Sequence, residues 1–418
     1  MPKFLINVSR WYKDHDYYDV AYKNLYEKHN IKTILFFDKF LSKNIKLEGR
    51  NLWYKETFFY NWKTDLISQI SMINNSDIYY INTFDEIIVN LVHEIRISLW
   101  LEVSKHYNAF RNKHIQREIL SKYYPETTVK YLDIDIHKQD INSYCTKLNF
   151  PYIIKPSSWV QSAWVWIIEN KQDLENYIKN IDYLNQNMIS RWIENNVFLI
   201  EDYIEWDMYT IVYFVDNNWN ILYSPIVKVI SAQKIWINDF ANYVRITWPI
   251  IDKEITLDEI KIFIEKQVEA FGMKNTFMFQ EFKKNTNWEL KNIELNARIW
   301  GYRLEMIQQI YGYNLLEMPM WNIVELKSNI NNAVFVFYPQ TRWILKWFNK
   351  DLLEKFNRLK SFSSIRISSQ KIWKIVWSTK DWFWSIVALR LKNKDMRKFK
   401  EDYLFVEENY NELIILEN

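Results

Sequence analysis

Glycine is nearly missing from this chain, with 4 in 418 residues, where about 7% is usual. A protein with many turns needs residues that tolerate positive φ, so some other residue must stand at its turns. Cysteine is scarcer still. The single Cys145 excludes an internal disulfide framework and a cysteine-rich zinc site, and a reducing cytoplasm is the expected setting. No run approaches the roughly eighteen apolar residues of a membrane span. The net charge of +3, from 54 basic and 51 acidic residues, gives no reason to expect a nucleic acid or an acidic membrane as partner. The six histidines show no metal-ligand spacing, and no Ser-His-Asp or Cys-His arrangement is visible. The opening MPKFLINVSRWYKD has a short apolar run before charge resumes, which suits a first strand better than a signal peptide.

Tryptophan is in excess, with 21 residues, and many stand where a turn is expected. Asn217-Asn218-Trp219-Asn220 separates the strand-like YTIVYFVD and ILYSPIVKV, where Asn-Gly is the usual hairpin signal. Asn287-Trp288 and Asp381-Trp382-Phe383-Trp384 repeat the pattern. Tryptophan and glycine together, 21 + 4 = 25, make roughly 6% of the chain, near the ordinary glycine share. The hypothesis is that most of these tryptophans stand where the organism places glycine, through misreading of a reassigned UGA codon. A Trp-rich carbohydrate binder is the alternative, but an aromatic platform does not explain tryptophan confined to turns. TGG codons at most of these positions would sink the recoding idea.

At this length two to four domains are possible. Lys3–Val8 and Lys32–Phe37 are β-rich runs around a helically spaced segment, Asp16–Asn30, which gives a β-α-β opening. Asp77–Asn82 predicts a strand. A helix from about Phe84, with Thr83 as N-cap, would end at Trp100, and Ala109–Leu120 predicts another with Lys113 and Arg117 on one face. Residues 1–108 therefore read as an α/β domain with a parallel sheet. From Tyr152 onward come strands at Phe198–Ile204, Met208–Val215 and Ile221–Ile230, and helices at Asp173–Asn180 and Leu257–Phe271. From about Ala333 strands predominate, with a hairpin around Asp381.

The chemistry concentrates in Phe277–Arg303. Thr276–Phe282 and Glu289–Leu295 alternate apolar residues around a polar turn, the pattern of a hairpin. Glu281 lies on the first strand, and Glu294 and Asn296, two apart, share a face of the second, which Arg298 continues if the extension persists. Two carboxylates and an amide oxygen are hard ligands suited to Mg²⁺. The plain alternative is a solvated polar face. A second candidate is the strand-borne Lys155 followed by Ser157-Ser158-Trp159-Val-Gln-Ser162-Ala-Trp164-Val-Trp166. With glycine at the tryptophans this becomes a small-residue loop whose backbone could approach phosphate, although a surface hairpin fits too. Lys228 and Arg245 stand where a basic residue could face substrate, but each reads rather as a solvated charge on a strand.

Taken in order, NAFRNKHIQREIL, YIIKPSSWVQSAWVWII, FLIEDYIEWDMYT and QEF followed by IELNARIWG resemble the ATP-grasp superfamily over most of the chain. The resemblance implies an α/β and α+β architecture: an N-terminal α/β domain, a two-lobed ATP-grasp domain at 109–330 with its lid lobe near 150–200, and a β-rich closing piece at 331–418. It implies that Lys113 and Lys155 contact ATP phosphates and that the 157–166 loop, with Ser157, Ser158, Trp159 and Ser162, closes over them. Glu201 and the Tyr203-Ile204 backbone would read adenine, and Asp207 would lie near the ribose. Glu281, Glu294 and Asn296 would hold Mg²⁺ or Mn²⁺, with Arg298 facing the transferred phosphate. Asn112, where the family often has an acid, is a minor departure. Trp159, Trp164, Trp166, Trp206 and Trp300 stand where it has glycine.

The reaction so implied is ligation of a carboxylic acid to an amine, most plausibly an amino acid, through an acyl phosphate. Arg298 and Lys155 would act directly on the reacting groups, the partners would be small molecules, and a homodimer is possible. The alternatives are a biotin-type or purine-type carboxylase using bicarbonate, which needs a biotinylated carrier, with no attached carrier domain expected here, or a purine-type acceptor, and a catalytically silent nucleotide- or carbohydrate-binding module.

Overall fold

The computed structural model describes residues 3–10, 18–41, 54–135, 150–158, 164–181, 197–205, 208–235, 242–247, 255–300, 302–320, 328–339, 341–376 and 385–417. Four strands, β1 (Phe4–Ser9), β2 (Lys32–Asp38), β3 (Tyr54–Tyr60) and β4 (Ile78–Asn82), form a parallel sheet in the order β3-β2-β1-β4. Every residue of β1 is buried, as expected of a parallel strand covered on both faces. Apolar clusters on either side draw in the helices Asp19–His29 on one face and Lys63–Ser71 and Val89–Ser98 on the other. Ligands of such sheets bind beyond the carboxyl ends of the strands. There β1 delivers Arg10 and the segment after β4 delivers Asp85 and Glu86, with Arg10 Nε 2.7 Å from Asp85 Oδ2.

The second sheet is antiparallel, with β5 (Tyr131–Asp135), β6 (Tyr152–Pro156), β7 (Trp166–Ile168) and β8 (Val197–Asp202) in the order β5-β8-β6-β7. The helix Lys171–Lys179 buries Leu174, Tyr177 and Ile178 against it. The third sheet is the largest. It runs β14-β13-β9-β11-β12-β15-β19-β17, with β10 paired to β9. Its members are β9 (Met208–Val215), β10 (Ile221–Tyr223), β11 (Val227–Ser231), β12 (Asn242–Thr247), β13 (Thr276–Lys284), β14 (Leu290–Asn296), β15 (Asn331–Phe337), β17 (Phe362–Ile367) and β19 (Val387–Asn393), while β16 (Trp343–Phe348), β18 (Ile375–Val376) and β20 (Ile414–Glu417) form a small separate sheet. Strands after residue 331 thus extend the sheet that carries the candidate site, because β12 pairs with β15.

Local signals account for most element ends. Leu257–Phe271 begins at a capping box between Thr256 and Glu259 and stops at Gly272, φ 54°, the left-handed position that terminates helices. Several expected elements differ. The helix expected from Phe84 opens instead with a 3₁₀ turn at Glu86–Ile88, capped by Asp85 rather than Thr83, and becomes α-helical only over Val89–Ser98. Ala109–Leu120 divides in the same way. Tyr107–Arg111 is a 3₁₀ turn, and the α-helix Lys113–Tyr123 starts at Asn112, whose side chain accepts the His114 and Ile115 amides. The strand expected over Ile221–Ile230 is broken between Tyr223 and Val227 at Pro225, which has no amide to give a ladder. Arg245 is a correction too: it is 1% exposed, with its guanidinium 5.9 Å from the Trp300 ring and 5.1 Å from that of Tyr302. The hairpin around Asp381 lies outside the described residues.

Candidate active site

The register of β13 and β14 builds the centre of the site. Glu281 stands directly opposite Glu294, so both carboxylates leave one face of the sheet. Asn296 follows on that face and donates Nδ2–H to Glu294 Oε1 at 3.0 Å. Its Oδ1 is buried and accepts from no described group. The Asn112 cap sets Lys113 in the first helical turn, with Nζ 2.8 Å from Glu294 Oε1. One turn on, Arg117 donates to both oxygens of Glu201, at 2.9 and 3.2 Å, and to the Ile293 carbonyl at 2.9 Å. Between them Gln116 donates to the Leu295 carbonyl at 2.8 Å and accepts the Leu295 amide at 3.0 Å. Helix and metal-candidate strand are therefore joined by three side chains of one helix, Lys113, Gln116 and Arg117.

Lys155, at the end of β6, reaches Glu201 Oε2 at 2.6 Å. Glu201 is only 3% exposed. Burial alone would raise its pKa, but Arg117 and Lys155 hold it below the usual carboxylate range. Burial pushes Lys155 down to about 8, against the pull of Glu201. The Glu201 carboxylate, expected beside the adenine, is held in this buried triad by Arg117 and Lys155.

The facing carboxylates respond differently to their setting. Desolvation by the surrounding protein, and next the charge of Glu294, push Glu281 up to about 7. Desolvation would raise Glu294 as well, yet Lys113 keeps it below its ordinary value. A pair of carboxylates with one lysine bound to one partner is short of positive charge. Glu281, Glu294 and the orphaned Asn296 oxygen fit a hard divalent cation that takes its remaining ligands from water and phosphate. Among the described residues no group of three or more His, Cys, Asp or Glu could hold a metal unaided.

Arg298 enters after a tight turn in which its amide bonds the Asn296 carbonyl at 2.9 Å. Its side chain is 2% exposed. Nη2 donates to Glu86, and Nε and Nη1 are buried with no hydrogen-bond partner among the described residues. The Trp300 ring lies 5.6 Å from this guanidinium. Arg111 ties the region to the second sheet by donating to the Glu86 carbonyl at 3.1 Å and to the Ser158 carbonyl at 3.4 Å.

The loop after Lys155 is described only at its ends. Ser157 gives its amide to the Val197 carbonyl at 3.0 Å, and its carbonyl accepts the Lys113 amide at 2.8 Å, so its backbone amide is already engaged. Trp164 holds φ 62°. Trp159, Ser162, Trp206 and Asp207 lie outside the described residues. Tyr203 and Ile204 follow β8, and the Ile204 carbonyl accepts from Lys283 Nζ at 2.8 Å. The sequence reading missed Glu86, Arg111, Gln116 and the anchoring role of Arg117. Only Arg117 carried a signal, its i,i+4 relation to Lys113.

A parallel-sheet domain, a small antiparallel lobe bearing Lys155 and a large sheet bearing Glu281 and Glu294 constitute the ATP-grasp ligase fold. Residues 148–304 match the family model described as an ATP-grasp domain. The whole chain is similar in structure to L-amino acid ligase from Bacillus licheniformis, with a TM-score of 0.76 at 14% identity, covering 100% of this chain and 99% of that one. It is also similar to N5-carboxyaminoimidazole synthetase from Staphylococcus aureus complexed with ADP (TM-score 0.66, 13% identity, 97% and 98% covered). Biotin carboxylase from Campylobacter jejuni gives a TM-score of 0.64 at 12% identity, with 100% and 92% covered. No curated protein matches in sequence. Among the described residues no helix is long and apolar enough to cross a membrane.

Proposed function

We propose that the chain is an ATP-dependent ligase joining a carboxylic acid to an amine, that of an amino acid, through an acyl phosphate. The observation that carries this reading is the convergence of Glu281, Glu294 and Asn296 with Lys113, while Arg298, from the strand's continuation, has two guanidinium nitrogens with no partner among the described residues. In the first step a substrate carboxylate oxygen bonds to the γ-phosphorus of ATP as the bond to the β-γ bridging oxygen breaks and ADP leaves. In the second the amine bonds to the acyl carbon, phosphate departs with the C–O bonding pair, and the amine's surplus proton passes to solvent. Lys113 and Lys155 supply positive charge to the phosphates, and Arg298 Nε and Nη1 donate to the oxyanion that develops on the acyl group. Glu86 holds that guanidinium in place. Magnesium or manganese held by Glu281, Glu294 and Asn296 would neutralise charge at the β- and γ-phosphate oxygens. The ADP complex of the synthetase with the same fold supports ATP as the nucleotide.

The test is ADP release by the full chain, screened over mixtures of carboxylic acids and amines, with the product identified by mass. Release that needs both an acid and an amine, with an amide of the summed mass less water, is the expected result. Turnover on bicarbonate alone would replace this reading with a carboxylase. ATP binding without turnover on any acid would point to a silent module.

A further inference from the structure

The helix Arg303–Tyr311 has two working sides. Arg303 directs its guanidinium to Thr210 on β9, at 3.0 and 2.6 Å. Glu305, Gln308 and Gln309 project from roughly the opposite side at 100° per residue, where they line a cavity of about 280 Å³. Arg366 and Arg390 close its far wall, and Val20, Ala21 and Leu304 form an apolar one. The space is many times that of one water, about 30 Å³ in the liquid, and Val20 is 60% exposed at its edge.

The polar groups here are left incompletely satisfied. Arg390 is 5% exposed. It donates to Glu305 and, at 3.2 Å, to Ser364 Oγ, yet its Nε has no partner among the described residues, and neither have the buried Oε1 atoms of Gln308 and Gln309. These three atoms are closed to water; the charged groups that a ligand can reach are Arg366, which is exposed, and Glu305, whose side chain is 25% exposed. Formal charge is +1, two arginines less one glutamate, which suits one carboxylate and disfavours a phosphate dianion facing Glu305. Glu305 would accept from an ammonium, and the apolar wall would cover a small aliphatic side chain.

We propose that this cavity is a second ligand site, separate from the reaction centre, for a small zwitterion: a free aliphatic α-amino acid. Its carboxylate meets Arg366 beside Arg390, and its ammonium meets Glu305. The site communicates with the reaction centre through the residues just before the helix. Arg366 donates to Tyr302 Oη at 3.4 Å, Arg245 lies against both Tyr302 and Trp300, and Trp300 lies against Arg298.

Calorimetric titration of the full chain with L-valine, without ATP, tests the site independently of any turnover. Binding to the unaltered chain and to Arg298→Met with affinities within threefold is expected, with at least tenfold weakening in Arg366→Leu and in Ala21→Phe, which fills the cavity. Arg366 is exposed, so its variant is the safer one should Ala21→Phe fail to fold. Isobutylamine and isovalerate, each lacking one charge of valine, should bind at least tenfold more weakly. No binding of L-valine, equal binding of isovalerate, or binding lost in Arg298→Met but kept in Arg366→Leu would overturn the proposal. The last outcome would assign the amino acid to the reaction centre and leave the ligase reading intact.

Discussion

Replacing a tryptophan that is held at positive φ and makes few contacts by glycine should stabilise this protein, against the usual direction of such changes. Seven described residues other than glycine have positive φ, and five of them are Trp100, Trp164, Trp219, Trp288 and Trp373, with φ between 59° and 65°. A left-handed conformation costs an L-residue roughly 1–2 kcal/mol, and glycine is free of that cost. Against this stand glycine's greater loss of chain entropy, roughly 0.5–1 kcal/mol, and the contacts of the indole. Trp100 is 94% exposed and has least to lose, so Trp100→Gly should gain about 0.5–1 kcal/mol. Trp219 and Trp288 hold Lys274 and Lys284 over their rings at 4.7 and 4.8 Å, each contact contributing roughly 0.5–1 kcal/mol, so their gains should be nearer zero. Urea denaturation of Trp100→Gly, Trp100→Ala and Trp343→Gly separates the causes. Alanine removes the indole but keeps the Cβ clash, so the glycine variant should exceed the alanine variant by about 1 kcal/mol. Trp343 lies within β16, outside the positive-φ set, and its glycine variant should lose stability. Equal stability of Trp100→Ala and Trp100→Gly would refute the backbone argument, and with it the support these angles lend to glycine as the residue the fold requires.

Other expectations concern the site. Mn²⁺ affinity with ATP present, read by calorimetry, should weaken as pH falls below about 7, because Glu281 gains a proton there, and in Glu281→Gln that dependence should flatten. Arg117→Met removes the bidentate partner of Glu201 and should raise the KM for ATP about tenfold or more, while also lowering stability by about 3–5 kcal/mol, the range for breaking a buried ion pair. Glu294→Gln should reduce kcat more than ATP binding, since metal charge matters most as the phosphoryl group moves; an equal loss in both would place Glu294 in ground-state binding. Glycine at Trp300, beside Arg298, should change kcat in steady-state assays of ADP release with little effect on the denaturation midpoint.

The strongest periodicities were the most legible. Thr276–Lys284 and Leu290–Asn296 follow a period of two around a polar turn, and that alternation places Glu281, Glu294 and Asn296 together without reference to the rest of the chain. Leu257–Phe271 declares both ends through Thr256, Glu259 and Gly272. Arg245 misleads for a tertiary reason. Its neighbours Val244 and Ile246 belong to one core, so alternation turns the arginine away from them, and the sequence does not show that Trp300 and Tyr302 cover the other face. Glu86 escaped notice because it lies some 210 residues from Arg298 and becomes a neighbour only when the parallel-sheet domain packs beside the large sheet. Tyr54–Tyr60 was unread because its polar residues obscure a strand that leans on β2.

β14 is the outermost strand of its sheet, and an outermost strand normally offers unpaired amides and carbonyls to any other extended chain. Here the offer is withdrawn by side chains. The Gln116 amide takes both the N–H and the C=O of Leu295, Arg117 takes the Ile293 carbonyl, and the helix carrying them lies along the border. Gln116 in effect serves as a one-residue strand. Its replacement by alanine would uncover a docking rim beside Glu294, and the first sign should be self-association under conditions where the unaltered chain stays dispersed.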